Sequence, residues 1–237
     1  MAIKIAGGGD YSRIVNDFKR LHGIQKIIAF SGGASTTLSG ISEDDPMQKE
    51  YKGIIQTAEE KIIGDAVGLL RDCRVAILTG GTRWGVPCTA SRKSKEYGLK
   101  TIGVYPLIGQ KHALGDDVLD LAFCVEPFIG ESNWGDESPI FANLLDGVIV
   151  CAGGAGTLTE CAHILKINER LMKSGRPLKY IVPLAGTGGV ADYLQVISPN
   201  STLRAECMPN KRIENGLVAA EILRDKLELE YYLNEKF

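Results

Sequence analysis

Glu160 closes a run of residues that could hold and act on an anion: Gly153-Gly154-Ala155-Gly156-Thr157-Leu158-Thr159-Glu160. The run follows an apolar stretch, Val148-Ile149-Val150-Cys151, and precedes a segment with helical spacing. A Cβ blocks positive φ and close backbone approach, so Gly153, Gly154 and Gly156 leave several N–H groups open to one point. At a helix start those N–H groups sit at the positive end of the dipole, which favours an anion, a phosphate above all. Glu160 is either part of that chemistry or a first-turn glutamate favoured by the same dipole.

Other loops repeat the pattern. Ser31-Gly32-Gly33 follows Ile27–Phe30, and Gly80-Gly81-Thr82-Arg83-Trp84-Gly85 follows Val75–Thr79. Ala185-Gly186-Thr187-Gly188-Gly189 follows Lys179–Pro183. Successive glycine loops after apolar runs point to a nucleotide or phosphate site. The G-x-G-x-x-G order of dinucleotide binders is absent, as is G-x-x-x-x-G-K-[ST]. Trp84 and Trp134 lie in loops near these glycines, where an indole either stacks on a base or packs under the loop.

These loops need elements to position them. Apolar runs predict buried strands at 27–31, 75–79, 101–104, 121–125, 148–151 and 179–183. Helices are expected over 11–21, 48–71 and 88–97, from the glycine turn to about Lys173, over 191–197 and over 214–229, with a short one ending at Leu145. In the second, Ile54, Ile55, Ala58, Ile62, Ala66, Leu69 and Leu70 form the expected apolar stripe. Residues 38–47 read as a surface loop. Strands apolar throughout and alternating with helices predict a parallel sheet covered on both faces, a three-layer α/β sandwich. Ligands of such sheets bind outside the carboxyl ends of the strands, so the four glycine loops are expected to share one cleft. The chain reads as one domain over 1–237, with an extension at 1–25 packed on it and a C-terminal helix within 210–237.

A net charge of −2 gives no field for nucleic acid or an acidic membrane, and no run reaches the ~18 apolar residues of a membrane span. Cytoplasmic residence is the expectation. Cys73, Cys88, Cys124, Cys151, Cys161 and Cys207 show no C-x-x-C spacing and read as buried free thiols. The three histidines form no ligand pattern, so no metal and no resident cofactor are expected.

The stretch Ala152–Glu160 resembles the P-G-G-x-G-T-x-x-E motif of the Lonely Guy (LOG) family, once mislabelled lysine decarboxylases. Leu78–Val86 with Gly98–Pro106 is similar to that family's strand, glycine loop, helix and G-x-x-x-I-G-V-x-P run, and Ser31-Gly32-Gly33 stands where its first loop would be. The resemblance covers roughly residues 26–184. It implies a modified Rossmann sheet, a homodimer, and hydrolysis of the N-glycosidic bond of nucleoside 5′-monophosphates. The 153–157 turn would hold the phosphate, and Glu160 would stabilise cationic charge on the ribose or position water.

Two departures stand out. The motif's proline is Ala152, which reads as a mild change. The family also carries an arginine–lysine pair upstream of the turn, its arginine working with the glutamate; counting back gives Glu137 and Ser138. An acid in place of that arginine reverses the local charge. Arg83 and Arg170 are the other cations considered. The wider SLOG superfamily, whose members include sensor domains that look built to bind nucleotide-derived ligands, supplies the reading in which the cleft binds without cutting. Three readings stay open: a binding protein for a nucleotide or nucleotide-derived phosphate, a glycosidase, and a carrier of a phosphate-bearing cofactor such as a pterin.

Overall fold

Strands buried on both faces must lie in the middle of a sandwich, and they do so in the computed structural model of the protein. It describes residues 3–5, 10–34, 44–197 and 200–232. These form seven strands: β1 (Ile3–Ile5), β2 (Lys26–Gly32), β3 (Val75–Thr79), β4 (Lys100–Pro106), β5 (Leu121–Val125), β6 (Gly147–Cys151) and β7 (Tyr180–Leu184). Their order is β1-β5-β4-β3-β2-β6-β7, and every pairing is parallel.

The helices are α1 (Tyr11–His22), α2 (Pro46–Leu70), α3 (Gly85–Glu96), α4 (Ser138–Leu144), α5 (Ala155–Lys173), α6 (Gly189–Ile197), α7 (Ser201–Cys207) and α8 (Gly216–Lys226). Side chains alternate across each strand. In β2, Ile27 and Ala29 therefore join the core under α1, α4, α5, α6 and α7, while Ile28 and Phe30 join the core under α2, α3 and α8. This is the three-layer α/β sandwich, a Rossmann-like sheet. Five cysteines are buried and Cys88 is half-buried, all as free thiols.

The strand order fixes where a ligand can sit. From β2 the chain steps outward through β3, β4 and β5, then returns to the other side of β2 with β6. That reversal opens a crevice beyond the ends of β2 and β6. Gly32 pairs with Cys151, so the loops after the two strands leave side by side.

Several expectations need correction. β1 lies inside the segment read as an extension; its three residues have a partner in β5 but no sequence period of their own. α7 has seven residues, too few for two turns of pattern, and starts from an Asn200 cap. α3 begins at Gly85, three residues before the expected Cys88, because Pro87 fits a first turn whose N–H groups have no helical partner. α2 begins at Pro46, with the Asp45 carboxylate accepting from the Met47 N–H, so the loop expected at 38–47 is shorter. Its buried face is Ile63, Ala66, Val67 and Leu70, whereas Ile54 is 60% exposed. The side chain of Ile55 and residues 35–43 lie outside the described residues. α8 is the C-terminal helix, ending at Lys226.

Candidate functional site

The turn between β6 and α5 has a backbone no ordinary run would adopt. Ala152 has φ +53° and Gly153 has φ +99°. A Cβ at 153 would strike the Thr157 side chain, so glycine is required there on two counts. Ala152 is held in its left-handed conformation by three bonds. Its N–H donates to Thr187 Oγ1 (2.8 Å), the Ala191 N–H donates to its carbonyl (3.1 Å), and the Val190 N–H donates to the Gly153 carbonyl (2.9 Å). A proline at 152 could supply neither the φ nor the N–H. The change from the motif is therefore not mild.

α5 starts without a side-chain cap. Its first backbone bond runs from the Leu158 N–H to the Gly154 carbonyl (3.0 Å). The N–H groups of Ala155, Gly156 and Thr157 make no hydrogen bond to a described residue. They are the orphan donors of a helix nineteen residues long.

Gly156 and Thr157 line a cleft of about 240 Å³. Gly32, Gly33 and Ala34 line it from β2, Gly80, Thr82 and Pro87 from the β3–α3 loop, and Gly154, Gly156, Thr157 and Glu160 from the turn and α5. Trp134, Gly135 and Glu137 close it from the loop before α4. Three of the four expected loops thus converge. The fourth, at 186–190, lies behind the turn and carries Thr187. Sequence reading had no signal for this bracing role, because a backing loop and a lining loop share the same glycine pattern.

The expected residues divide as follows. Ser31 is buried, and its hydroxyl donates to Glu160 Oε2. Gly32 leaves no room for a Cβ beside the Cys151 carbonyl and Val86. Gly85, with φ +55°, crosses Gly33 closely, and the Val86 N–H donates to the Gly33 carbonyl (3.0 Å). Gly81 packs on Gly103 and Tyr105, outside the lining. The Thr82 side chain is buried, and its Oγ1 has no hydrogen-bond partner among the described residues. Arg83 turns away: its Nε donates to the Ala113 carbonyl (2.9 Å). Trp84 packs on His112, 4.7 Å between ring centroids, while Trp134 faces the cleft and is 53% exposed.

Two carboxyl groups share this space. Burial pushes Glu160 up to about 8; the Ser31 hydroxyl opposes the shift and Glu137 adds to it. Burial also raises Glu137; the backbone N–H groups of Glu137 and Gly135 oppose that, and Asp136 adds to it. The Gly135 N–H donates to Glu137 Oε2 at 2.8 Å. No Lys, Arg or His lines the cleft among the described residues. The cleft is therefore lined by backbone donors of α5 and by carboxyl groups, Glu160 standing one turn along the same helix.

The sequence profile of the SLOG cluster4 family matches residues 52–175, more than half of the 237-residue chain. The chain belongs to the SLOG cluster4 family. The matched stretch runs from α2 to just past α5 and contains Thr82, Glu137, the glycine turn and Glu160. No curated protein sequence matches this SLOG cluster4 protein. Solved structures share its fold. TM1055 is 17% identical, with 85% of this chain and 99% of that chain covered and a TM-score of 0.55. The molybdenum cofactor binding protein of the phototrophic bacterium Rippkaea orientalis is 21% identical, covering 86% and 98%, with a TM-score of 0.54. The molybdenum cofactor carrier protein of Chlamydomonas reinhardtii is 20% identical, covering 86% and 99%, also at 0.54. No helix among the described residues is long and apolar enough to cross a membrane.

Proposed function

We propose that this SLOG cluster4 protein binds a nucleotide or nucleotide-derived phosphate ligand in the cleft and does not cleave it. The observation that carries the reading is that one cleft is lined both by Gly156 and Thr157 of the uncapped start of α5 and by a buried Thr82 hydroxyl that has no partner among the described residues. A phosphate would satisfy that hydroxyl and the N–H groups of Gly156 and Thr157 at the positive end of α5. The cleft is smaller than the ~300–1,000 Å³ of pockets that enclose drug-sized ligands, which favours a mononucleotide-sized ligand partly covered by Trp134.

Calorimetry with mononucleotides, ADP-ribose, inorganic phosphate and molybdenum cofactor tests the reading. Saturable binding by a phosphate-bearing member supports it. No heat with any member overturns it. Molybdenum cofactor joins the panel because proteins of like fold are named for it, and because a carrier role is open to the sequence.

The second reading is a nucleoside 5′-monophosphate glycosidase, favoured by the placement of Glu160 in the cleft. A carboxyl that stays protonated near neutral pH is a poor stabiliser of an oxocarbenium ion, and Glu137 adds no positive charge. Free base released from a nucleotide, and lost in Glu160→Gln, would restore this reading over the first. A single domain and cytoplasmic residence, expected from the sequence, and a homodimer, implied by the LOG resemblance, are part of the proposal, and sedimentation at several concentrations tests the oligomeric state.

A further inference from the structure

A second apolar stripe runs along α2, on the side turned away from the sheet. Met47, Tyr51, Ile54 and Ala58 follow one another at intervals of four, three and four residues. At about 100° per residue they lie within roughly 60° of one another. The core-facing residues Ile63, Ala66, Val67 and Leu70 are centred roughly 140° further round the helix. Gly216 of α8 lies against Ile62 on one side of α2, and Tyr97, just past α3, lies against Gly68 on the other. The stripe falls between these two contacts. Met47 is 55% exposed, Ile54 and Ala58 are exposed, and Tyr51 is half-buried. The outward side of a surface helix is ordinarily polar. Ile54 and Ala58, read from the sequence as part of the core stripe, thus belong to a seam that the core does not use.

Intervals of four, three and four are those of a coiled-coil seam, which is covered by a helix of matching pattern. α2 matches itself when a second copy is turned end for end about a two-fold axis. Met47 then lies across from Ala58, and Tyr51 across from Ile54, and each contact occurs twice. The charges agree with that direction. Asp44, exposed just before α2, comes across from Lys61, which continues the stripe past Ala58. Within one chain Lys61 pairs only with Asp65, at 3.1 Å on the exposed surface, a contact of little worth that can be shared. A parallel pairing would set Asp44 on Asp44 and Lys61 on Lys61, like charges facing each other.

We propose that a second copy of this chain docks along the first half of α2, the two helices antiparallel, with Met47, Tyr51, Ile54 and Ala58 as the seam. This rests on the homodimer of the reading above and gives it a surface. About three turns of helix make a small interface, so the association is expected to be weak and to vary with concentration.

Sedimentation velocity over roughly 1–100 µM tests it. The wild-type chain should sediment as a dimer at the upper end and fall toward a monomer on dilution. Ile54→Lys, whose folding a thermal melt checks, should weaken association at least about tenfold by placing a charge in the seam. Lys61→Glu and Asp44→Lys should each weaken it about two- to fivefold, and the two together should restore it, as the antiparallel arrangement alone requires. A dimer that Ile54→Lys leaves intact overturns this inference and leaves the homodimer standing on another surface. Loosening by Ile54→Lys with no restoration by the double reversal overturns the antiparallel docking. A wild-type monomer at every concentration overturns the homodimer, and this inference falls with it.

Discussion

The Ser31 hydroxyl donates a hydrogen bond to Oε2 of Glu160, tying the end of β2 to α5 across the cleft. A bond to the charged form favours that form, so this contact opposes the upward shift that burial imposes. Ser31→Ala should therefore move Glu160 still higher. Carbon-detected NMR titration of the glutamate carboxyls measures it, and an unchanged or lower value would contradict the assignment.

Stability should fall as the medium becomes alkaline. The ordinary value of 4.5 for Glu160 rises to about 8 in the folded protein, so the folded state binds more protons between those limits. Its favourable contribution is complete below about pH 4.5 and is lost as pH rises to about 8. Glu59, buried on α2 and raised to about 7, acts in the same direction over a narrower range. Urea melts of wild type and Glu160→Gln should differ little at pH 4.5, with the variant gaining up to a few kcal/mol by pH 9.

Ala152→Pro should destabilise the fold by at least about 2 kcal/mol, since it removes the bond to Thr187 and demands a negative φ. Ala152→Gly should stay within about 1 kcal/mol of wild type, because glycine accepts the left-handed backbone. Thermal melts of the two variants separate backbone demand from side-chain loss.

Thr82→Val should keep or raise the melting temperature, because an unpartnered buried hydroxyl costs about 1–3 kcal/mol. Its affinity for a phosphate ligand should drop about tenfold, the worth of a hydrogen bond of about 1.5 kcal/mol to a charged group. A melting temperature that falls with no change in affinity would assign Thr82 to packing alone.

Arg83→Ala should leave ligand affinity within about twofold while lowering the melting temperature, since one neutral-acceptor bond of about 1 kcal/mol to the Ala113 carbonyl is lost. A large fall in affinity would instead return Arg83 to the cleft.

Much of this was legible in the sequence because parallel strands announce themselves. Val75–Thr79 is apolar up to its closing threonine and Leu121–Val125 at every position, and the structure starts and ends those strands at the same residues. Glycines marked the loops but not their jobs. Gly81 packs on β4 and Gly189 presses on Gly153, while Gly154 and Gly156 line the cleft. β1 and α7 were silent because each depends on a tertiary partner. The direction of Arg83 and the bracing by Thr187 are properties of neighbours distant in sequence, which no local pattern records. The reversal of charge at Glu137 was visible by counting, but its consequence for Glu160 needed the two side chains to be seen in one enclosure.

The position of β6 beside β2 has a consequence for how the chain is made. Ile27 and Asp146, bonded in the finished fold, are 119 residues apart. At about 5–20 residues per second, one edge of β2 waits on the order of ten seconds during synthesis before its partner leaves the ribosome. Through that interval β2 presents unpaired backbone and the apolar side chains of Ile28 and Phe30, so nascent chains halted before β6 should engage chaperones more strongly than those halted after α5.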